Sequence, residues 1–455
     1  MAGAAEFDVI SEGLADVHRR LLPLTDGEVA SYIPQLALAD PDDFGIALVS
    51  MSGHRYQAGH ARVPFTVQSV SKPFVYALAL AELGVDEVSR WVGTEPSGDA
   101  FNAISLEHGT GRPANAMINA GAIATTNLVP ASSPGQRFAR ILDVLSGFAG
   151  RRLDVDEDVY RSESATGDRN RALAYLMHAA GSLRGDPVVA AEAYFRQCAI
   201  RVDTVDLAVM AATLAAGGVN PVTGRTVVPE PVAVQVLAVM ATCGMYDAAG
   251  DWLVRVGLPA KSGVSGGLTA ASPARFGIAC YSPPLDRTGS PVRAVAAMRE
   301  LSERFGMHLM HRPAPGPDTV TVSTTAARTP SRRTRTAAEH ALLAREGRRI
   351  AVVAAQGELD FTAAERVLHE LARIAPDTPG WLVVDLAEVS GVRPPARALL
   401  TAALERVTAV GHRLGVVGAA GDGLAGGAVR FDSLPEALAW AEDGLLAESA
   451  RSGES

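Results

Sequence analysis

The chain has 455 residues, 48% of them apolar and 20% charged, a composition typical of a globular protein long enough for two domains. Its formal net charge of −9 excludes a general nucleic-acid binder, because nothing broadly basic is available to meet phosphates. No apolar run approaches the roughly 18–20 residues of a membrane span, and the first residues lack the basic start and apolar core of a secretory signal. Three widely spaced cysteines (Cys198, Cys243 and Cys280) form no C-x-x-C pair, so we expect a protein of the reducing cytoplasm.

The first two thirds of the chain show strand patterns at both ends and helical patterns between them. Residues 44–50 and 55–65, separated by Met-Ser-Gly-His, predict a β-hairpin. An apolar helix is expected over about 69–83, with Gly84 as its stop, and the pattern stays mostly helical to about residue 245. Strand patterns return at 276–282 and 290–296, and an amphipathic helix closes this part near Gly306. These patterns predict an α+β domain over residues 1–310, with one sheet completed by both ends of the domain.

The remainder of the chain changes character twice. Residues 311–338 are rich in Pro, Thr, Ser and Arg, which predicts a flexible linker. Residues 339–455 alternate between strand and helix patterns, which predicts a small α/β domain. The segment GDGLAG at 421–426 fits the dinucleotide motif G-x-G-x-x-G, but a strand-like GAVRF follows it where that motif requires a helix, so we expect a loop.

A first chemical motif, S-x-x-K, opens the apolar helix with Ser69 and Lys72. Residues three apart share a helix face, so the hydroxyl and the amine can touch. A serine hydroxyl needs a neighbouring base to act as a nucleophile, and a desolvated neutral amine can be that base. The N-terminus of the helix also favours negative charge that develops at Ser69.

The use of lysine makes this motif more specific. Of 41 basic residues only Lys72 and Lys261 are lysines, and all the others are arginines. Arginine cannot lose its proton in a protein, whereas a buried lysine can. Lys261 begins the triplet Lys-Ser-Gly shortly before the 276–282 strand pattern. An early S-x-x-K with a late K-[ST]-G is the pair of motifs found in the penicillin-binding and serine β-lactamase superfamily, so we predict one active site that contains both lysines.

The chain from about residue 5 to 306 resembles the glutaminase family of that superfamily. Nine stretches carry this resemblance and occur in order across the domain: SYIPQL (31–36), FTVQSVSKPF (65–74), EPSGDAFN (95–102), NAMINAGAI (115–123), SESATGDRN (162–170), YFRQC (194–198), AATLAAGGVNPVTG (211–224), CGMYD (243–247) and LPAKSGVSGG (258–267). The resemblance implies a β-lactamase-like hydrolase fold, in which a sheet is flanked by a helical domain. It also implies hydrolysis of L-glutamine to L-glutamate and ammonia through a γ-glutamyl ester on serine.

Carried over residue by residue, the resemblance assigns roles to ten positions. The implied catalytic residues are Ser69, Lys72, Tyr246, Tyr32 and Lys261; the implied substrate-binding residues are Ser69, Asn119, Glu163, Asn170, Tyr194, Tyr246 and Val264. Free glutamine is a zwitterion, so its site needs an acceptor for the ammonium, which Glu163 can supply, and several donors for the carboxylate. The phenol of Tyr246 could relay a proton, and the backbone N–H groups of Ser69 and Val264 would form the oxyanion hole.

Cofactors and partners follow from the same resemblance. No metal or other cofactor is required, and the ten histidines form no H-x-x-x-H pair. The expected partners are the substrate L-glutamine and further copies of the chain in a dimer or tetramer, with no nucleic acid and no membrane.

Residues of about 346–446 resemble a STAS domain, the type found in anti-sigma-factor antagonists and sulfate transporters. The matching segments are GELDFTAAERV (357–367), WLVVDLAEVSGV (381–392) and GHRLGVVG (411–418). In the phosphorylated antagonists, Asp-Ser-Ser-Gly follows the second of these segments at a helix start, whereas this chain has Arg393-Pro394-Pro395-Ala396. The phosphoacceptor serine is missing, which leaves a regulatory role through a protein or ligand partner.

Two other interpretations remain open on the sequence alone. A penicillin-recognising hydrolase would share Ser69, Lys72 and the Lys-Ser-Gly triplet without needing Glu163. A degenerate hydrolase fold could instead serve as a binding module, although intact Ser69, Lys72 and Tyr246 speak against it.

Overall fold

The computed structural model describes residues 9–98, 106–310, 318–376, 378–424 and 426–453. The chain divides into two units, Met1–His311 and Arg312–Ser455. Residues 99–102 of the EPSGDAFN stretch and residues 311–317 of the predicted linker lie outside the described residues.

The first unit contains the elements that the α+β pattern predicts. Its helices are α1 (Val9–Leu21), α2 (Lys72–Leu83), α3 (Val85–Ser89), α4 (Asn119–Leu128), α5 (Pro134–Ala149), α6 (Glu157–Thr166), α7 (Asp168–Ala179), α8 (Pro187–Cys198), α9 (Thr204–Ala215), α10 (Glu230–Cys243), α11 (Ala249–Arg255) and α12 (Val292–Arg304). Its strands are β1 (Glu28–Val29), β2 (Gly45–Ser50), β3 (Arg55–Gly59), β4 (Phe65–Thr66), β5 (Asp154–Val155), β6 (Ile200–Val202), β7 (Ala260–Ser262), β8 (Gly267–Ser272), β9 (Phe276–Tyr281) and β10 (Pro284–Leu285).

The main sheet joins strands from both ends of this unit. Its order is β3-β2-β9-β8-β7, and every neighbouring pair is antiparallel. The predicted hairpin is therefore confirmed as β2 and β3, and the sheet is completed by the later strands as expected. Strand β7 is an edge strand of this sheet, so helices can pack beside the strand that carries Lys261.

Both faces of this sheet are covered by helices. Side chains alternate along β2, so Ile46 and Leu48 face a core formed with α1, α11 and α12, whereas Ala47 and Val49 face the helical region. Helix α9, buried along its whole length, packs on β2, β8 and β9. Gly277 permits this contact, since a Cβ there would lie 2.1 Å from the backbone nitrogen of Ala212.

Two expectations for this unit need correction. The helix predicted over 69–83 begins as a 3-10 turn at Gln68–Ser71 and becomes α-helical only at Lys72. The strand predicted at 290–296 is wrong, because α12 begins at Val292. Pro291, in an extended conformation, caps that helix, and the following Ala, Met, Arg and Glu residues favour helix more than its two valines favour strand.

The second unit is a five-stranded sheet with helices. Its elements are β11 (Val320–Thr325), α13 (Ala337–Glu346), β12 (Ile350–Leu359), α14 (Phe361–Ile374), β13 (Trp381–Val392), α15 (Pro394–Ala409), β14 (Arg413–Val417), β15 (Val429–Phe431) and α16 (Leu434–Gly453). The order is β11-β12-β13-β14-β15, with β11 antiparallel to β12 and the other pairs parallel. The expected loop at 421–426 precedes β15, with no helix starting among its described residues.

The structure differs from the expected flexible linker over 311–338. Residues 320–325 form β11, because the alternating Val, Thr and Ser residues suit an edge strand better than the overall composition suggests. Farther along, the Ser331 backbone N–H donates to the fully buried Glu442 of α16 at 2.6 Å, and the Arg335 side chain forms an ion pair with the same carboxylate at 3.0 Å. Much of this segment therefore belongs to the second unit.

Among the described residues, no single helix is long and apolar enough to cross a membrane. Helix α10 and the segment Tyr246–Arg255, bent by 90° at their junction, would be long and apolar enough only together.

The position of β11 predicts how the second unit responds to truncation. We expect residues 312–455 to fold by themselves, and residues 327–455, which lack β11, to lose about 3 kcal/mol or more of unfolding free energy. The loss follows from removing the ladder hydrogen bonds that β11 makes with β12. Urea titrations followed by circular dichroism compare the two fragments, and equal midpoints would show that β11 adds nothing to the fold.

Candidate active site

The predicted Ser–Lys pair is in direct contact. Ser69 lies in the 3-10 turn that leads into α2, and Lys72 is the first residue of that helix. The Lys72 Nζ donates hydrogen bonds to Ser69 Oγ at 2.9 Å and to Asn119 Oδ1 at 2.7 Å. Both members of the pair are buried, and the Lys72 side chain is fully so. Burial lowers the pKa of Lys72 to about 7, so a neutral amine is accessible near physiological pH.

The second lysine reaches the same place from the sheet. Lys261 on β7 is fully buried, and its Nζ donates to the carbonyl oxygen of Ser262 at 2.7 Å. The same nitrogen lies 3.8 Å from the centroid of the Tyr246 ring, a cation–π distance. Burial and, to a lesser extent, the charge of Lys72 hold the pKa of Lys261 well below its ordinary value.

Tyr246 lies between the two lysines. The Lys72 Nζ is 5.8 Å from its ring centroid, and its phenol is hydrogen-bonded with the Ser69 side chain. Burial raises the pKa of this phenol above its ordinary value, so it stays protonated and can donate. Its backbone has a φ of 57°, a strained value for a residue with a side chain. The fold thus holds this phenol beside Ser69 at a cost in backbone energy.

A cavity of about 390 Å³ opens beside Ser69. Its lining comprises Tyr32, Ile33, Gln68, Ser69, Asn119, Glu163, Thr166, Gly167, Arg169, Asn170 and Tyr194. Six of the predicted site residues are in that set, and they come from widely separated parts of the chain. The Tyr32 side chain is 57% exposed, which places it at the mouth of the cavity.

The polar groups of the cavity fall into two kinds. The amide of Asn119 donates to Asn170 Oδ1 at 2.9 Å, and the Tyr194 hydroxyl lies 3.5 Å from Asn119 Oδ1. The carboxyl group of Glu163 is buried, which raises its pKa to about 8, and it accepts from Gln68 Nε2 at 3.4 Å. One wall therefore offers a carboxylate and another offers amides and a phenol, which suits a ligand that carries both a cation and an anion.

The loop between β7 and β8 brings Val264 to the Ser69 turn. Gly263 packs so closely there that a Cβ would lie 3.0 Å from Val70 Cγ2. The N–H groups of Gly263 and Gly266 bond within the loop, to the carbonyl oxygens of Gly267 and Gly263. Among the described residues we find no such partner for the Val264 N–H.

Several lining residues had no role in the sequence analysis. Gln68 directly precedes Ser69, and its φ of 46° is a strained backbone angle that no sequence pattern reveals. Arg169 lies inside the SESATGDRN stretch, so its presence at the cavity could have been inferred from that motif. Ile33, Thr166 and Gly167 are neighbours in sequence of site residues that were predicted.

Comparisons with known proteins match most of this chain to one family. A family model described as Glutaminase matches residues 27–310. Glutaminase 1 of Bradyrhizobium diazoefficiens is 44% identical over 386 residues, which cover 85% of this chain and 62% of that relative, so the chain spans less than two thirds of its length. The glutaminase of Clavibacter michiganensis is 50% identical over 296 residues, covering 64% of this chain and 91% of that protein.

Solved structures match as well. A crystal structure of Mglu in its native form superposes with a TM-score of 0.79 at 42% identity, covering 90% of this chain and 98% of that one. A probable glutaminase from Bacillus subtilis complexed with 6-diazo-5-oxo-L-norleucine gives a TM-score of 0.61 at 32% identity, covering 66% and 97%. These matches confirm the α+β fold of the first unit.

The buried amine of Lys72 predicts a pH-dependent stability difference. Its folded pKa of about 7 lies below the ordinary 10.5, so between these values the unfolded chain holds a proton that the folded chain does not. Lys72→Met removes this penalty, and we expect it to raise the unfolding free energy at pH 7 by about 2–3 kcal/mol. The gain should shrink as the pH rises towards 10.

Urea titrations at pH 7 and 9.5 measure this difference. Ser69→Ala is the matched control, because it removes the partner of Lys72 and leaves the amine in place. A gain that is absent, or that grows with pH, would show that the amine is not held in the neutral form.

Proposed function

The chain belongs to the glutaminase family and is a glutaminase, and we propose that it hydrolyses free L-glutamine to L-glutamate and ammonia through a γ-glutamyl ester on Ser69. The observation that carries this mechanism is the 2.9 Å hydrogen bond between Lys72 Nζ and Ser69 Oγ, beside a cavity of about 390 Å³. A hydroxyl in contact with a buried amine of pKa about 7 is an activated nucleophile.

Substrate binding uses the two kinds of polar group in the cavity. The carboxylate of Glu163 accepts the substrate ammonium, while Asn119, Asn170, Tyr194 and Tyr32 supply donors for the substrate carboxylate. With that end fixed, the side-chain amide carbon reaches Ser69. The charge on the ammonium favours the ionised form of Glu163, so binding releases a proton wherever Glu163 was protonated beforehand.

Acylation begins when neutral Lys72 takes the proton of Ser69 and the freed Oγ attacks the amide carbon. The oxygen of the tetrahedral intermediate accepts from the backbone N–H groups of Ser69 and Val264. The Tyr246 phenol donates a proton to the leaving nitrogen and recovers one from Lys72, and the C–N bond breaks. Ammonia leaves, and a γ-glutamyl ester remains on Ser69.

Deacylation repeats these steps with water. A water molecule gives a proton to Lys72 through Tyr246 and attacks the ester carbon. The bond to Ser69 Oγ then breaks as that oxygen takes the proton from Lys72, and glutamate leaves. Lys261 exchanges no proton in either half-reaction; its Nζ lies 3.8 Å from the centroid of the Tyr246 ring, and the side chain packs against that ring beside Ser69.

The second unit would be a STAS-like regulatory domain that acts through a protein or ligand partner. The parallel order β12-β13-β14-β15, with α14 between β12 and β13 and α15 between β13 and β14, supports this assignment. Helix α15 begins at Pro394 directly after Arg393, so no serine lies at this helix start to receive a phosphate. We also propose that the enzyme acts in the cytoplasm as a homo-oligomer.

Ammonia release from L-glutamine and L-asparagine tests the proposed reaction. Asparagine is one methylene shorter, so with its charged end fixed the amide carbon falls short of Ser69, and a misplacement of about 1 Å can cost on the order of a hundredfold in kcat/KM. Ser69→Ala should reduce turnover of glutamine to background, and a chromogenic β-lactam should not be hydrolysed.

Ser146→Ala on α5 is the matched control, since its hydroxyl donates to the carbonyl oxygen of Leu142 and accepts from the N–H of Leu153, and the residue does not line the cavity. Turnover by Ser69→Ala at the level of this control, or equal specificity constants for the two amides, would contradict the proposal.

The pKa values of two site groups predict the pH profile. Lys72, with a pKa of about 7, must be neutral to accept a proton, and Glu163, with a pKa of about 8, must be ionised to bind the ammonium. Both requirements are met by losing a proton, so kcat/KM for glutamine should rise with pH from 6 to about 8.5.

The same profile for Glu163→Gln separates the two groups. This variant should have a much higher KM, and its rise with pH should come earlier and less steeply, because only Lys72 still titrates. A profile that falls between pH 6 and 8 would contradict the assigned protonation states.

A further inference from the structure

A chain of buried hydrogen bonds contacts the Gln68–Ser71 turn that carries Ser69. None of its three side chains, Ser71, Thr126 and Gln197, lines the cavity. The side-chain amide of Gln197 donates from Nε2 to Ser71 Oγ at 2.8 Å and accepts at Oε1 from Thr126 Oγ1 at 2.7 Å. All three side chains are fully buried. Polar groups in this position are costly unless paired, so their presence among apolar helices calls for a function.

The hydrogen-bond chain ends at Gln68, the residue directly before Ser69. Ser71 Oγ donates to the carbonyl oxygen of Gln68 at 2.7 Å, and Gln68 has the strained φ of 46°. A non-glycine residue in this region is strained and persists only where its surroundings fix it. Without the hydrogen bond, the turn could relax and Ser69 would move with it.

Which group donates in each of these hydrogen bonds matters as much as the presence of the bonds. A serine hydroxyl has one proton to donate. Because Gln197 offers an N–H to Ser71, the Ser71 proton is left for the carbonyl oxygen of Gln68. An acceptor in the place of that N–H would compete for the same proton. The Thr126 hydroxyl, which has one proton, lies within hydrogen-bond distance of both Gln197 Oε1, at 2.7 Å, and the carbonyl oxygen of Ala122, at 2.8 Å, so it links the Gln197 amide to helix α4.

The three residues also lie on the elements that carry site groups. Gln197 follows Tyr194 by one turn of α8, and Thr126 lies two turns after Asn119 on α4. Ser71 stands between Ser69 and Lys72. The hydrogen-bond chain therefore connects the segment of Ser69 and Lys72 to the two helices that carry the Asn119 amide and the Tyr194 phenol.

We infer that Gln197 is a positioning residue, which holds the Gln68–Ser69 turn and helices α4 and α8 in the reactive arrangement through Ser71 and Thr126. The inference rests on the proposed function, since it assigns Gln197 a role in the reaction of Ser69. Gln197 does not line the cavity, so its effect on the reaction is indirect.

Steady-state kinetics of Gln197→Met, Ser71→Ala and the double variant test this role in the full chain. Methionine keeps the length of the side chain and removes both hydrogen bonds. We expect kcat for glutamine to fall 10- to 100-fold in each single variant while KM changes less than about threefold, because misplacing the nucleophile affects the reaction more than binding. The double variant should be no slower than the slower single variant, since both changes break one chain.

Thr213→Val is the matched control. Thr213 is likewise fully buried, and its hydroxyl donates within α9 and to the carbonyl oxygen of Phe148, away from the catalytic turn. It should lower the melting temperature by a similar amount and leave kcat within about twofold. If Gln197→Met does not fold, Thr126→Val removes the other end of the chain and is subject to the same expectations.

Three results would overturn the inference: normal kcat in Gln197→Met, a kcat loss matched by Thr213→Val, or losses that multiply in the double variant. Failure of the proposed function is distinguishable, because it would appear as turnover by Ser69→Ala. An inactive Ser69→Ala together with a fully active Gln197→Met would reject the positioning role alone.

Discussion

The first unit is built around an amine, that of Lys72, whose pKa burial lowers to about 7. A buried amine needs hydrogen-bond partners whose own groups must then be paired. Lys72 is paired with Ser69 and Asn119, and Asn119 with Asn170, so one desolvated group fixes residues from three parts of the chain. The strained backbone of Tyr246 fits the same requirement, since a relaxed φ would move the phenol from Ser69. The burial of apolar side chains on both faces of the sheet offsets the unfavourable free energy of these buried polar and strained residues.

The topology explains how two motifs almost 190 residues apart come to share one site. Strands β2 and β3 precede the Gln68–Ser71 turn in the chain, and β7 to β9 follow the helical region. Closing the sheet with the later strands carries Lys261 and the Val264 loop to the N-terminus of α2. The close contact of Gly263 with Val70 sets how near that loop can come. The first unit can therefore complete its site only when its last strands have joined the sheet.

Much of this arrangement could be predicted from the sequence, because strong local patterns and short motifs determine it. The hairpin and the parallel strands of the second unit all have clear apolar periodicity. Amino-acid composition predicted the structure less well. The Pro- and Arg-rich segment after residue 311 gave no indication of β11 or of the contacts of Ser331 and Arg335 with Glu442. The φ angle of Gln68 and the partner of Gln197 could not be predicted, because both arise from contacts between distant residues. Such contacts leave no local signature in one sequence.

The burial of both lysines has a practical consequence for chemical labelling. All other basic side chains are arginines, so the folded chain offers no lysine ε-amine to a reagent in solution. Amine-selective acylating reagents would then leave the lysines of the native enzyme untouched and modify them only after the interior opens. The extent of lysine acylation becomes a direct count of opened molecules, and coupling to a solid support through lysine would select for inactive protein. Conjugates of the active enzyme are better made through carboxylates or arginines.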